Sequence, residues 1–318
     1  MITIRIVLLL TFLQLLMGCS EKTQNELTFT YEGTTWSVLY KDEVGTERVK
    51  PRLTEALNQL DSQFSESISQ FNALDNTKPL QVSRMFSETL RLSKMISDNA
   101  RGCFDITAAP VLDLWNKGET VPQPEAIEQS LENVGSDKYL AYGNFVRKLS
   151  PAVEVSLTPL IESIRTRALA NNLIALDIHH FSITSPSTTL VSGSYGDKVK
   201  SIKLQSDMSS EKLLSSMSEL NQTFATVNLD ALNSTRKIMI DARTGRPVPH
   251  DGLSVTVLHD DVIRAQAWAN SLACLGVEDG MSVAKGSSIR AIFTQQSDTN
   301  TTTVTTSFPG PAGKDANS

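Results

Sequence analysis

Gln266 and Asn270 stand four residues apart in RAQAWANSLACLG (264–276), among small apolar residues. In a helix that spacing puts both carboxamides on one face, either as part of a working site or as the wet side of a surface helix. Two other clusters could do chemistry. Asp105 lies in GCFDIT (102–107), where a carboxylate can serve a site or cap its own turn. Asp241, Arg243 and Thr244 lie in IDARTGRPVPH (240–250). There Arg243 and Thr244 can donate to a phosphate or a ribose and Gly245 permits a positive φ; alternatively, the Asp only bonds its own tight turn. His179 and His180 are adjacent, which on a strand points them to opposite faces, so one metal ion does not take both. His250 and His259 have no evident Ser or Cys nucleophile beside them. Cys103 and Cys274 are expected as two small buried thiols, although an oxidising compartment would allow them to pair.

The elements that must hold these residues follow from apolar spacing. LTFTYEGTTWSVLY (27–40) alternates like a strand pair broken at Gly33, and KYLAYGNFVRKLS (138–150) reads as a hairpin around Tyr142-Gly143-Asn144. Three- and four-residue spacing predicts helices over 51–71 and 83–102, the second closed by Gly102. Further helices are expected in 121–135, with Pro124 and Glu125 at its start, and over 157–173, 209–220, 264–276 and 277–286. Residues 174–183 and 288–294 read as strands, and 224–258 as strand, turn and strand. Strands and helices mix without β-α alternation or repeats, so the fold class is α+β, with mixed or antiparallel sheets and packed helices. No G-x-G-x-x-G or Walker phosphate loop occurs; VSGSYGDK (191–198) has glycines without the Walker spacing.

The chain has 318 residues and a net charge of −6, with no cluster of Lys and Arg, which argues against nucleic acid as a partner. Its start, MITIRIVLLLTFLQLLMGCS, has a cation at Arg5 and an apolar run from Ile6 to Met17, too short to span a bilayer comfortably. Cys19 directly after Gly18 has the form of a lipobox, the alternative being an ordinary signal peptide with an incidental Cys. Residues 1–18 are thus read as a lipoprotein signal peptide, with lipidation at Cys19. Residues 19–29 are read as a polar tether, 30–294 as one domain and 295–318 as a polar, poorly ordered tail. The expected protein is exported, periplasm-facing and held to a membrane by acyl chains; Ser20 resembles an outer-membrane sorting signal.

Several segments together, GTTWSV (33–38), GCFDITAAPVLDLWNKG (102–118), VPQPEAIEQSLENVG (121–135), IDARTGRPVPH, SVTVL (254–258) and the A-x-A-W-A-x-x-L helix, resemble the ApbE-type FAD:protein FMN transferases. That resemblance implies an α+β flavin transferase fold that binds FAD with Mg²⁺ on the pyrophosphate and transfers FMN to a Thr of an acceptor protein. It implies cofactor contacts at Tyr31, Gly33, Thr35, Asp105, Thr107, Ser156, Asp241, Arg243 and Thr244, and metal positions at Gln266 and Asn270. The sequence departs from the family pattern at those metal positions, where an Asp and a Thr are usual; a carboxamide brings no negative charge to Mg²⁺. The family's D-L-S-G-I-A-K-G-x-x-x-D is here EVSLTPLIESIR (154–165), with Leu160 for Lys and Arg165 for Asp. The expectation is a family lipoprotein in which transfer is weak or lost, with a flavin site or a flavinylated redox protein as partner. An active divergent transferase and a structural lipoprotein without flavin are the alternatives.

Overall fold

The computed structural model describes residues 23–117, 121–193, 223–229, 238–296 and 302–308. The segment expected as a signal peptide, the expected lipidation site Cys19 and the helix expected over 209–220 lie outside these residues. Strands β1 (Gln24–Tyr31) and β2 (Thr34–Lys41) form a hairpin whose two-residue turn, Glu32-Gly33, has φ values of 47° and 74°. Positive φ at both positions matches the right-handed twist of the flanking strands. Strand pairing therefore begins at Gln24, inside the segment expected as a tether.

Helix α1 (Thr46–Ala73) buries Val49, Leu53, Leu57, Leu60, Phe64 and Phe71 on one face, and helix α2 (Arg84–Asn99) follows the short strand β3 (Leu80–Gln81). Ser83 caps α2 by accepting from Phe86 N–H at 3.2 Å. At its other end Gly102 N–H reaches the Ser97 carbonyl at 2.8 Å, with Arg101 at φ 57°. This is a Schellman closure one residue earlier than expected, with Arg101 rather than Gly102 at the first left-handed position. Helices α3 (Ala109–Lys117) and α4 (Pro124–Leu131) come next, α4 with Pro at its first turn. Strands β4 (Tyr139–Tyr142) and β5 (Phe145–Lys148) then pair with β3 in a small sheet of order β3-β5-β4.

Helix α5 (Ile161–Ala175) follows a single 3₁₀ turn at Thr158–Leu160. It ends at Ala175, so the strand expected over 174–183 is only β6 (Phe181–Thr184). The i, i+2, i+4 spacing of Ile174, Leu176 and Ile178 reads as a strand, but Ile174 lies in the last turn of α5, whose Leu169 and Leu173 pack on the β1–β2 ribbon, and Leu176 and Ile178 lie in the connection to β6. His179 and His180 consequently precede the strand, and His179 Nε2 is 2.9 Å from Asp177 Oδ1.

Strands β7 (Thr188–Ser192), β8 (Phe224–Asn228), β9 (Ile240–Asp241), β10 (Arg246–Pro247) and β11 (Leu253–Leu258) precede helix α6 (Val262–Gly286). The helices expected at 264–276 and 277–286 are both present within α6, as two helical segments that meet at a kink at Gly276, where φ 78° and ψ −176° are not helical. Strands β12 (Arg290–Gln296) and β13 (Thr302–Thr306) complete the described chain. β13 pairs with β12, so the tail expected as poorly ordered is a sheet edge over those five residues.

Among the described residues the main sheet has eight strands in the order β1-β2-β6-β7-β8-β11-β12-β13, antiparallel at every pairing. Alternation along β2 buries Trp36, Val38 and Tyr40 against α1 and α5. The larger core lies between α2, α6 and strands β8, β11 and β12.

Candidate flavin-nucleotide site on α6

Gln266, Asn270 and Cys274 follow one another at four-residue intervals along α6, and all three are buried. They are not the wet side of a surface helix. Each reaches a segment distant in sequence. Gln266 Oε1 accepts from Ser187 Oγ at 3.3 Å, in the hairpin between β6 and β7. Asn270 Nδ2 donates to the Pro159 carbonyl at 3.2 Å, in the 3₁₀ turn that leads into α5. Cys274 is disulfide-bonded to Cys103, with Cα atoms 5.9 Å apart, so the two sulfurs are not the separate thiols expected.

The disulfide brings the F-D-I-T segment to the same helical face. Asp105 is buried, and its carboxylate takes three donors: Ser97 Oγ at 2.8 Å, Thr107 N–H at 2.9 Å and Thr107 Oγ1 at 2.6 Å. Burial raises the Asp105 pKa, opposed by those same donors. Thr107 Oγ1 in turn accepts from Gly135 N–H at 2.7 Å. Asp105 and Thr107 therefore satisfy each other and hold a turn. Ser156 N–H donates to the Ile106 carbonyl at 2.8 Å, joining the 156–160 loop to this segment, while the half-buried Ser156 hydroxyl pairs with that of Thr158 at 3.1 Å.

The Asp241–Gly245 turn is attached to the same place through Ala242 N–H, which donates to the Cys103 carbonyl at 2.8 Å. Arg243 forks onto Asp241 through Nε at 2.9 Å and a terminal nitrogen at 2.7 Å, and its guanidinium reaches Cys103 Sγ at 3.5 Å. Gly245 has φ 68°, and a Cβ there would stand 2.5 Å from Ile127 of α4. Trp115 of α3 donates to the Gly245 carbonyl at 2.8 Å. The turn is thus braced by α3 and α4, and its exposed groups are Arg243 and Thr244.

Of the three hairpin residues, Tyr31 joins this neighbourhood through α5. Its hydroxyl donates to Asp61 Oδ2 at 3.1 Å, Arg165 Nε donates to Asp61 Oδ1 at 3.0 Å, and the Arg165 guanidinium lies 5.2 Å from the Tyr31 ring centre. Burial, then the Asp61 carboxylate, pushes the Tyr31 phenol above its ordinary range. Gly33 and Thr35 stay exposed on the ribbon, Thr35 sharing its hydroxyl with Thr30 at 2.9 Å.

Sequence patterning does not flag Glu162, Ser185, Ser187 or Asp61. Glu162 Oε1 accepts from Ser187 N–H at 2.7 Å and from Ser185 Oγ, so it ties the start of α5 to the hairpin that Gln266 also holds. An acid in a first helical turn reads from sequence as a complement to the helix dipole, and only the fold reveals the hairpin it meets.

Among the described residues, the positions on α6 supply no charged oxygen for Mg²⁺, which favours such oxygens in a near-octahedral shell, and the nearby Glu162 carboxylate is taken up by Ser185 and Ser187. The stripe on α6 offers no carboxylate, and Asn270 turns its N–H toward the loop carbonyl. The sulfurs of Cys103 and Cys274, near Asp241, are bound to each other and are not thiolate ligands.

A FAD:protein FMN transferase of Vibrio cholerae is 24% identical over 91% of this chain and 93% of its own length, and one of Klebsiella pneumoniae is 25% identical over 80% and 79%. Among solved structures, the Pseudomonas stutzeri flavinyl transferase ApbE in its apo form superposes with a TM-score of 0.76 at 21% identity, covering 91% of this chain and 96% of that one. The flavin transferase ApbE of Vibrio cholerae gives 0.75 at 21% identity, over 90% and 97%. The sequence model of the ApbE family matches residues 32–293, most of the chain, and this protein belongs to that family.

Proposed function

We propose that this chain is an exported, lipid-anchored protein that keeps the flavin transferase fold but not efficient FMN transfer, and that serves a flavinylated redox system as a flavin-binding or partner protein. The observation that carries this reading is the contact of Asn270 Nδ2 with the Pro159 carbonyl at 3.2 Å. A donor–acceptor pair stands where the family resemblance calls for oxygens on Mg²⁺. Phosphoryl transfer relies on a cation to neutralise charge developing on the pyrophosphate, and neither Leu160, which is buried, nor Gln266 supplies a substitute. Export is supported by the lipobox-like Gly18-Cys19 and by the Cys103–Cys274 disulfide, which suits an oxidising compartment. Ser20 favours the outer membrane as the final location.

The test is to incubate the protein with FAD, Mg²⁺ and a Thr-bearing flavinylation acceptor and to look for covalent flavin fluorescence on a denaturing gel. The expected result is no labelling of the acceptor, with a rise in melting temperature on adding FAD. Labelling at the rate of an active relative would overturn the reading.

A further inference from the structure

The three buried positions on α6 do one job by three chemistries. At successive turns Gln266 holds the β6–β7 hairpin, Asn270 the 156–160 loop and Cys274 the F-D-I-T segment. The walls gathered there come from parts of the chain that are otherwise far apart; the disulfide alone joins residues separated by 171 positions. The helix breaks at Gly276, just past the last of these links. There the His250 ring packs where a Gly276 Cβ would stand, 2.6 Å from its Cε1, and His250 Nε2 lies 3.2 Å from the Cys274 carbonyl.

We propose that this stripe is a metal-independent clasp, in which the Cys103–Cys274 disulfide and the Asn270 amide hold the site walls to α6 in place of a bridging cation. The inference rests on the reading above that Mg²⁺ does not fit here. Cys103 and Cys274 are positioning residues in this scheme, because they act on the 102–107 segment and touch no substrate. A cation bridging the loop to α6 would need oxygens facing each other, whereas Asn270 and Pro159 present a proton donor to an acceptor. The Asp241 carboxylate, which lies beside the sulfurs, is already matched by Arg243.

The experiment compares the full-length oxidised protein with a Cys103→Ala/Cys274→Ala double variant, by melting temperature with Mg²⁺ or EDTA and by amide hydrogen exchange. The clasp predicts that saturating Mg²⁺ or chelator moves the wild-type melting temperature by less than about 1 °C, where a bound ion at 100 times its Kd would raise it several degrees. It predicts that the double variant melts about 10 °C lower. It further predicts that amides 103–107 exchange on the order of 100-fold faster in the variant, at a temperature where the sheet amides stay protected. Should the double variant fail to fold, wild type treated with a dithiol reductant, which reduces the disulfide to two thiols as it is itself oxidised, gives the same exchange comparison. A Mg²⁺-dependent rise in wild-type melting temperature, or equal exchange of 103–107 with and without the disulfide, overturns the clasp. Equal exchange of 103–107 sinks the clasp alone, whereas a Mg²⁺-dependent rise also removes the premise taken from the proposed function, so the two failures are told apart.

Discussion

A buried carboxylate needs donors to replace its lost hydration, and Asp105 has three, from Ser97 and from the main chain and side chain of Thr107. Replacing Asp105 with Ala leaves the Thr107 N–H and the Ser97 hydroxyl without their acceptor in a closed space. The expected loss is about 3 kcal/mol of stability in urea unfolding, and an unshifted midpoint would show that the site hydrates freely. His259 presents the opposite case. Its Nδ1 accepts from Asp261 N–H at 3.0 Å, a role only the unprotonated nitrogen can fill. Burial holds its pKa below the ordinary imidazole value of 6.5, with Asp261 opposing and Arg264 reinforcing the shift. The unfolded chain therefore takes up this proton first. Its contribution to stability is full above about pH 6.5 and falls as the solution is acidified through that value toward the lower folded pKa. His259→Gln should flatten the dependence of melting temperature on pH below 7, and parallel curves for the two proteins would rule this histidine out as the source. Both residues stand out in the sequence and so does Thr107 beside Asp105, but Ser97 and the Asp261 main chain do not, since a helix serine and a backbone N–H carry no signature of the partner they meet.

Elements are legible where one face is apolar and the other is wet. The spacing in α1 and α2 and the Tyr142-Gly143-Asn144 turn are plain for that reason, and the structure moves only their ends. The contacts that join elements are not legible, because Asn270 and Pro159 are 111 residues apart and one partner is a carbonyl. Lys148 is a second example. It is fully buried, and its Nζ donates to the carbonyls of Asn72 at 2.9 Å, Leu74 at 3.0 Å and Pro151 at 2.9 Å. It thereby closes the C-terminal end of α1 and pins it to the small sheet, a placement that the helix dipole favours. Lys148→Met keeps an apolar chain of similar length but removes all three donors and the ammonium that lies 5.3 Å from the Phe71 ring centre. A loss of about 3 kcal/mol is expected in denaturant unfolding, with earlier hydrogen exchange at the end of α1 than at its start. Gly276 is the corresponding weak point of α6. Its φ of 78° and the His250 ring beside it leave no room for a Cβ, so Gly276→Ala should cost more than a surface Gly→Ala change, and paired with His250→Gly it should recover part of the loss.

At the scale of the whole molecule, one antiparallel sheet supports α1 and α5 at one end and α6 further along, and the candidate site lies where α5, α6 and the F-D-I-T segment meet. The α+β class follows from the order of elements, and the family from motifs spread along the chain. Whether the site works depends on what fills it, which no single motif reveals. Restoring the usual family residues at two positions, Gln266→Asp with Asn270→Thr, is the direct trial of that point. The new carboxylate would lie buried beside Ser187, whose N–H already serves Glu162, so a second negative charge would enter a space where one is already paired. Burying it without a partner is costly, and Mg²⁺ would offset only part of that cost, because Leu160 and Arg165 still stand in the loop and on α5. Arg165 cannot swing in as a replacement cation without leaving both Asp61 and the Tyr31 ring. The double variant should therefore melt below wild type without Mg²⁺ and recover part of the difference with it. It should still leave an acceptor protein unlabelled by FAD; labelling restored by these two changes alone would show that the loop was never the obstacle.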